Sequence, residues 1–197
     1  MKKLFFPATC LACSLIWLTN CQQQSAPAEK TSAPVETTMQ NDPVQRGQYL
    51  VNMMGCDDCH TPKNMTPQGP VPDMKRRFMG HPADEPFAMD AEKKNLITKQ
   101  FVAVFNPSLT AAAGPWGVSY AANLTPDDTG IGTWTEAQFM KAIREGKSKG
   151  MDNTRPLMPP MPWPSYRNMS DEDLKAVFAY LKSLPPIKNA VPNPVAM

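Results

Sequence analysis

From residue 42 onward, the hydrophobic pattern reads as a helix, a long break, and then two more helices. Asp42-Pro43 marks the first start: the carboxylate can accept from first-turn amides, and proline suits the first helical position. Val44, Tyr49, Leu50 and Met53 recur near a helical period, and Gly55 ends the pattern. Between 61 and 100 prolines at 62, 67, 70, 72, 82 and 86 break every period. This predicts a long irregular Pro-rich insertion with at most one short helix, near Asp90–Asn95. Phe101–Phe105 (FVAVF) is a compact run of β-formers, and Trp116–Ala122 (WGVSYAA) is expected to pair with it as a small β-hairpin. Asn123–Trp134 is turn-rich. Thr135 with Gln138 then makes a capping box for a helix whose apolar face is Phe139, Ala142 and Ile143, closed by Gly146. Arg155–Tyr166 carries five prolines and is expected to be an extended loop without helix. Ser170 caps the last helix, whose first turn is acidic and whose stripe is Leu174, Val177, Phe178 and Leu181. Pro185-Pro186 stops it, and the tail from 187 to 197 is expected to be loose.

The first 41 residues read differently. Lys2 and Lys3 precede an apolar run from Leu4 to Leu18, too short for a comfortable membrane span, so 1–20 reads as a secretory signal. The run ends in Leu18-Thr19-Asn20-Cys21, which resembles a bacterial lipobox, although Asn20 stands where a small residue is usual. Cys21 is therefore the candidate lipidation site, and 21–41 a flexible tether. Cys10 and Cys13 leave with the signal, so the domain over 42–186 retains Cys56 and Cys59. Its cysteines then work outside the cytosol, on the periplasmic side of a membrane reached through a lipid anchor.

Charge narrows the partners. The chain has 20 Lys+Arg and 18 Asp+Glu, and losing Lys2 and Lys3 with the signal brings the two into balance. Nucleic-acid binding, which rests on many cation–phosphate contacts, is excluded as an expectation. Lys75-Arg76-Arg77 reads as a solvated run or a dock for an acidic partner.

The distinctive chemistry is Cys56-Asp57-Asp58-Cys59-His60. A redox dithiol wants a thiolate, which Asp57 and Asp58 disfavour. A structural zinc needs four ligands, and Cys56, Cys59, His60 and His81 supply them only awkwardly. The spacing C-x-x-C-H suits covalent haem: two thiols bond the two vinyl groups and the adjoining imidazole meets the iron. A sixth ligand is then needed. Met161, between Pro160 and Pro162, is the candidate, with Met158 on the same loop and His81 as rivals. Trp134 and Trp163 read as packing residues whose N–H groups could reach a haem propionate. Asn-x-Ser/Thr at Asn64, Asn123 and Asn168 reads as turn and cap chemistry.

Pro43–Pro186 resembles a mono-haem, class I-type cytochrome c domain. RGQYLV, CDDCHTP, NLTPDDTGIGTW, PPMPWPSY and MSDEDLKAVFAYLKSLPP carry the resemblance. It is nearest to cytochrome c domains of bacterial periplasmic alcohol and aldehyde dehydrogenase electron-transfer subunits. The resemblance implies a mainly α fold of helices around one haem c. It implies Cys56 and Cys59 as covalent anchors and His60 and Met161 as axial ligands. The first and last helices should cross near Gly47 against Phe178 or Tyr180. The implied function is one-electron transfer without catalysis, from a periplasmic dehydrogenase to an oxidase or another cytochrome. The alternatives are a ligand-binding or catalytic haem module, or a tightly bound subunit of a dehydrogenase complex.

Overall fold

The computed structural model describes residues 42–196. The expected signal, tether and Cys21 lie outside them. Helix α1 spans Pro43–Met53, and Asp42 caps it by accepting from the Val44 and Gln45 amides. Its buried face is Gly47 and Val51, while Tyr49 and Met53 point outward at 43% and 68% exposure. Those two were expected inside; the face is narrower because the last helix crosses directly over Gly47. A Cβ built there would lie 1.9 Å from the Ala176 carbonyl oxygen and 2.7 Å from the Tyr180 Cβ.

A one-turn helix α2, Cys56–His60, follows at once. The stretch expected to be irregular is built instead from short ordered pieces. Strands β1 (Lys63–Thr66) and β2 (Gly69–Pro72) form an antiparallel hairpin, and a 3-10 turn spans Met74–Arg76. Helix α3 runs Ala91–Gln100, longer than expected, because Asp90 caps it and Phe101 closes it in a left-handed conformation. The predicted pairing of Phe101–Phe105 with Trp116–Ala122 is corrected. Strand β3 is Val104–Phe105 alone, and β4 (Ala111–Gly114) lies between it and β5 (Gly117–Tyr120). The Ala-rich β4 is buried along its whole length and carries none of the β-branched residues that announce a strand.

Helix α4 (Glu136–Glu145) opens on the predicted Thr135–Gln138 box and closes at Gly146. Within the five-proline loop a single helical turn, α5 (Trp163–Tyr166), does form. Pro164 sits in its first turn, where a missing N–H costs nothing. Helix α6 (Asp171–Ser183) starts at Ser170 and buries Leu174, Val177, Phe178 and Leu181, with Ala176 and Tyr180. The main core joins these to Val51, Phe78, Ile131 and Phe139, and Phe139 packs on Phe178 with ring centroids 5.2 Å apart. Each such side chain contributes about 1.5–3 kcal/mol on burial. A second, smaller core of Ile97, Ala113 and Val118 lies under α3 and the sheet.

The tail is not loose. Asn189 is buried and its amide donates to the Met79 and His81 carbonyls, while Val195 bridges to Val118. No helix among the described residues is long and apolar enough to cross a membrane.

The crossing gives a direct test. Gly47→Ala is expected to cost about 1–3 kcal/mol in urea denaturation, because the added methyl overlaps the α6 backbone. An unchanged midpoint would show that the two helices can separate freely.

Candidate functional site

Gly55 leaves α1 in a left-handed conformation and starts α2 after only one intervening residue. That reversal sets Cys56 and Cys59 three residues apart, and so on one face of a single turn. Both are free thiols, and Cys56 packs against the main core. Burial, reinforced by Asp57, pushes the Cys56 thiol up to about 12, and burial also raises Cys59. The pair therefore stands as neutral thiols, opposite to a redox dithiol poised as thiolate.

His60 closes the turn, and its Nδ1 lies 2.7 Å from the Ala122 carbonyl oxygen. A carbonyl only accepts, so Nδ1 carries the proton and Nε2 keeps its lone pair. Burial pulls this imidazole below its ordinary pKa, outweighing the Ala122 bond, so it is neutral near pH 7. The His60 carbonyl in turn accepts from the Gly80 amide. Gly80 has φ +77°, and a Cβ on it would fall 2.4 Å from the Ala121 carbonyl oxygen. The close approach keeps the Ala121–Ala122 backbone beside His60.

Asp57, between the cysteines, is held by Arg77. The guanidinium Nε donates to Oδ1 at 2.9 Å and Nη2 to Oδ2 at 2.5 Å. Thr61 adds a third bond at 2.7 Å. Burial pushes the Asp57 carboxyl up, but these bonds outweigh it and leave it below the usual carboxylate range. Within the basic run Lys75 is solvated as expected, while Arg76 pairs with Asp73 and Glu85, and Arg77 turns inward to Asp57.

The proline loop faces this turn through Tyr166. Its hydroxyl donates to the Met54 carbonyl at 2.9 Å, two residues before Cys56. Burial first, then both cysteines, raises the Tyr166 phenol above its ordinary value. The loop is fastened at its other side, where the Ser119 hydroxyl donates to the Pro159 carbonyl and the Leu157 amide to that of Gly146. Met158 and Met161 occupy the two ends of one tight turn, the Met161 amide donating to the Met158 carbonyl at 3.2 Å. Both are half-buried, so burial does not choose between them.

His81 is taken up elsewhere. It is 1% exposed, Nε2 donates to the Glu85 carbonyl, and Nδ1 accepts from Thr110, which itself accepts from Asn106. Trp134 packs on the main core, and the Trp163 ring lies against Gly146. Arg77, Tyr166, Ser119 and the Ala122 carbonyl were not visible in the sequence. The first belongs to a charge run, and the last is backbone.

The donor set fits a c-type haem. Neutral thiols and a neutral imidazole with one free nitrogen stand in one turn, and half-buried Met54, Leu124, Trp134, Met140 and Ile143 pack against the same core as Cys56. Among the described residues no three His, Cys, Asp or Glu side chains converge as metal ligands, which weighs against the four-ligand zinc reading.

A family model described as cytochrome c matches residues 117–185. The chain carries a cytochrome c domain. Relatives include a nicotinate dehydrogenase subunit of Pseudomonas putida, 44% identical over 79 residues, covering 40% of this chain and 6% of that protein. The gluconate 2-dehydrogenase cytochrome c subunit of Pantoea cypripedii is 42% identical over 92 residues, covering 43% of this chain and 20% of that one. The quinone alcohol dehydrogenase cytochrome c subunit of Gluconobacter oxydans is 27% identical over 138 residues, covering 70% of this chain and 20% of its own. The chain thus spans a fifth or less of these relatives' length. Such cytochrome subunits transfer electrons rather than catalyse. The family match starts beyond Cys56–His60. In sequence residues 61–116 stand between them, but in the fold α1 lies across α6, inside the cytochrome c match.

The neutral His81 makes stability acid-sensitive. Burial holds its pKa below the ordinary 6.5. The unfolded chain therefore takes up the proton first as pH falls. This contribution is complete above about pH 6.5 and declines below it, toward the lower folded value. Urea midpoints between pH 7.5 and 5 should fall in the wild type and fall less in His81→Gln. Equal slopes would remove His81 from the acid response.

Proposed function

We propose that this chain is a one-electron carrier with one c-type haem, taking electrons from a periplasmic dehydrogenase and passing them to an oxidase or another cytochrome. The observation that carries this is the α2 turn, with two neutral thiols on one face and an imidazole fixed with Nε2 free. When bound, a c-type haem supplies reversible one-electron chemistry at iron. Cys56 and Cys59 would hold it covalently. His60, its ring oriented by Ala122, would offer Nε2 to the iron. Met161 would hold the group as well, because the resemblance to class I domains aligns PPMPW with the methionine loop, and thioether ligation would favour a high potential. The residues bind and orient the group and keep water from it; none makes or breaks a substrate bond.

The names of the relatives favour a second form of the same reading, a cytochrome held within a dehydrogenase complex. In the proposed layout 1–20 is a signal, 21–41 a tether and 42–186 the cytochrome domain, with Cys21 lipid-bearing at the periplasmic face.

Purified protein should exceed its polypeptide mass by one haem and keep it on a denaturing gel, and Cys56→Ala with Cys59→Ala should lose it. Met161→Ala is expected to erase the iron–sulfur charge-transfer band, lower the potential and admit carbon monoxide. Met158→Ala should keep the band and cost less than about 2 kcal/mol, as a half-buried methionine does. The reverse pattern moves the ligand to the other end of the turn. Carbon monoxide binding by the reduced wild type would instead favour a ligand-binding module.

Location is tested separately. Cys21→Ala should shift the protein from the membrane to the soluble fraction with its spectrum unchanged. A wild type already soluble after export would end the lipid-anchor reading.

A further inference from the structure

One side chain outside the motif reaches α1, α2 and α6 at once. Arg77 reaches Asp57 in α2 through Nε and Nη2, Asn52 in α1 through Nη2 at 2.8 Å, and the Tyr180 hydroxyl in α6 through Nη1 at 2.8 Å. Its guanidinium stacks 4.5 Å from the ring of Phe78, which is wholly buried in the main core. The Arg77 and Asp57 side chains are 20% and 23% exposed, so the pair is shielded from bulk water on most sides. Thr61 completes the knot: its hydroxyl donates to Asp57 and accepts from the Phe78 amide. The planar fork grips Asp57 with two of its nitrogens and still reaches Asn52 and Tyr180 from its ends, whereas an ammonium offers all its donors from one atom and cannot match that span.

We infer that Arg77 is the positioning residue of the haem-attachment turn, and that it also cancels the charge of Asp57, the shielded one of the two carboxylates lying between the cysteines. The inference rests on haem attachment at Cys56 and Cys59. An unpaired carboxylate at position 57 would favour the ferric, more positive state, and would do so strongly in a partly desolvated setting. The guanidinium removes that bias. It also fixes where the turn sits against α1 and α6, and hence where both thiols point. The residue thereby couples the position of the cofactor to its potential.

The test uses the haem-loaded protein and four variants, read by midpoint potential and by thermal unfolding. Arg77→Gln is expected to lower the potential and the unfolding temperature. Asp57→Asn should raise the potential. The double variant Arg77→Gln/Asp57→Asn should return toward the wild-type potential and melt higher than Arg77→Gln alone. Arg77→Lys should keep the potential while losing thermal stability, since the charge stays and the fork is lost. A double variant displaced further than either single, or an Asp57→Asn protein whose potential is unchanged or lower, overturns the inference even if Arg77→Gln fails to fold. Haem that extracts from the wild type into acidified organic solvent overturns the attachment itself, and does so before any potential is read.

Discussion

The arrangement depends on the chain coming back to His60. Residue 60 leaves the cysteine turn, and residue 122, 62 positions later, returns its carbonyl to the same imidazole. A single hydrogen bond of this kind contributes about 1 kcal/mol net. Closing a flexible loop of that length costs about 3–4 kcal/mol in chain entropy beyond a constant. The bond therefore orients the ring but cannot hold the loop shut. Closure comes from the insertion's own structure. Its α3 and three-stranded sheet enclose a second core, and the 78–81 segment pairs with 121–124 through the Leu124–Phe78 and His81–Ala121 bonds. Asn189, reaching back from beyond α6, stitches the same segment to the tail. The imidazole is thus aimed by a scaffold that would stand without it.

The electrostatics around the turn keep the shielded side of the thiols free of unpaired charge, and leave Asp58 to solvent. Burial keeps both cysteines protonated and His60 neutral, and Arg77 answers Asp57. Lys63 lies at the end of the turn, its ammonium spent on the Asp58 and Ser108 carbonyls at 2.5 and 2.7 Å. A carboxylate left alone in this setting would cost several kcal/mol. The pairing explains how Asp57 is tolerated between half-buried thiols, while the neighbouring Asp58 is exposed to solvent.

What could be read in the sequence was whatever local chemistry decides. The caps at Asp42, Thr135 and Ser170, the stop at Gly146 and the stripe of α6 all depend on neighbours within one or two turns. The cysteine motif is legible for the same reason. The misreadings share the opposite property. β4 is a strand because it lies between β3 and β5, not because Ala111–Gly114 prefer to be one. The tail is ordered by Asn189 and by Val118, more than 70 residues earlier in the chain. Arg77 looked like solvated charge until Asp57, Asn52 and Tyr180 converged on it. Met158 and Met161 stand at the two ends of one turn and are both half-buried, so the preference for Met161 comes from the resemblance to class I domains and not from burial.

The same bookkeeping of charge bears on how electrons would arrive. A carrier that finds its partners by diffusion gains from a strong surface field, which raises encounter rates by orders of magnitude. Among the described residues, the basic run at 75–77 leaves only Lys75 unpaired at the surface, with Arg76 and Arg77 both paired within the molecule. Acidic and basic residues come close to cancelling over the sequence. Long-range steering is correspondingly weak, and proximity must replace it. Tethering two modules supplies that: partners joined or anchored on one surface meet at effective concentrations near the millimolar range without any attractive field. A balanced surface is thus better suited to the proposed anchored carrier or complex subunit than to a free shuttle, and places the burden of recognition on short-range shape around the cysteine turn and the proline loop.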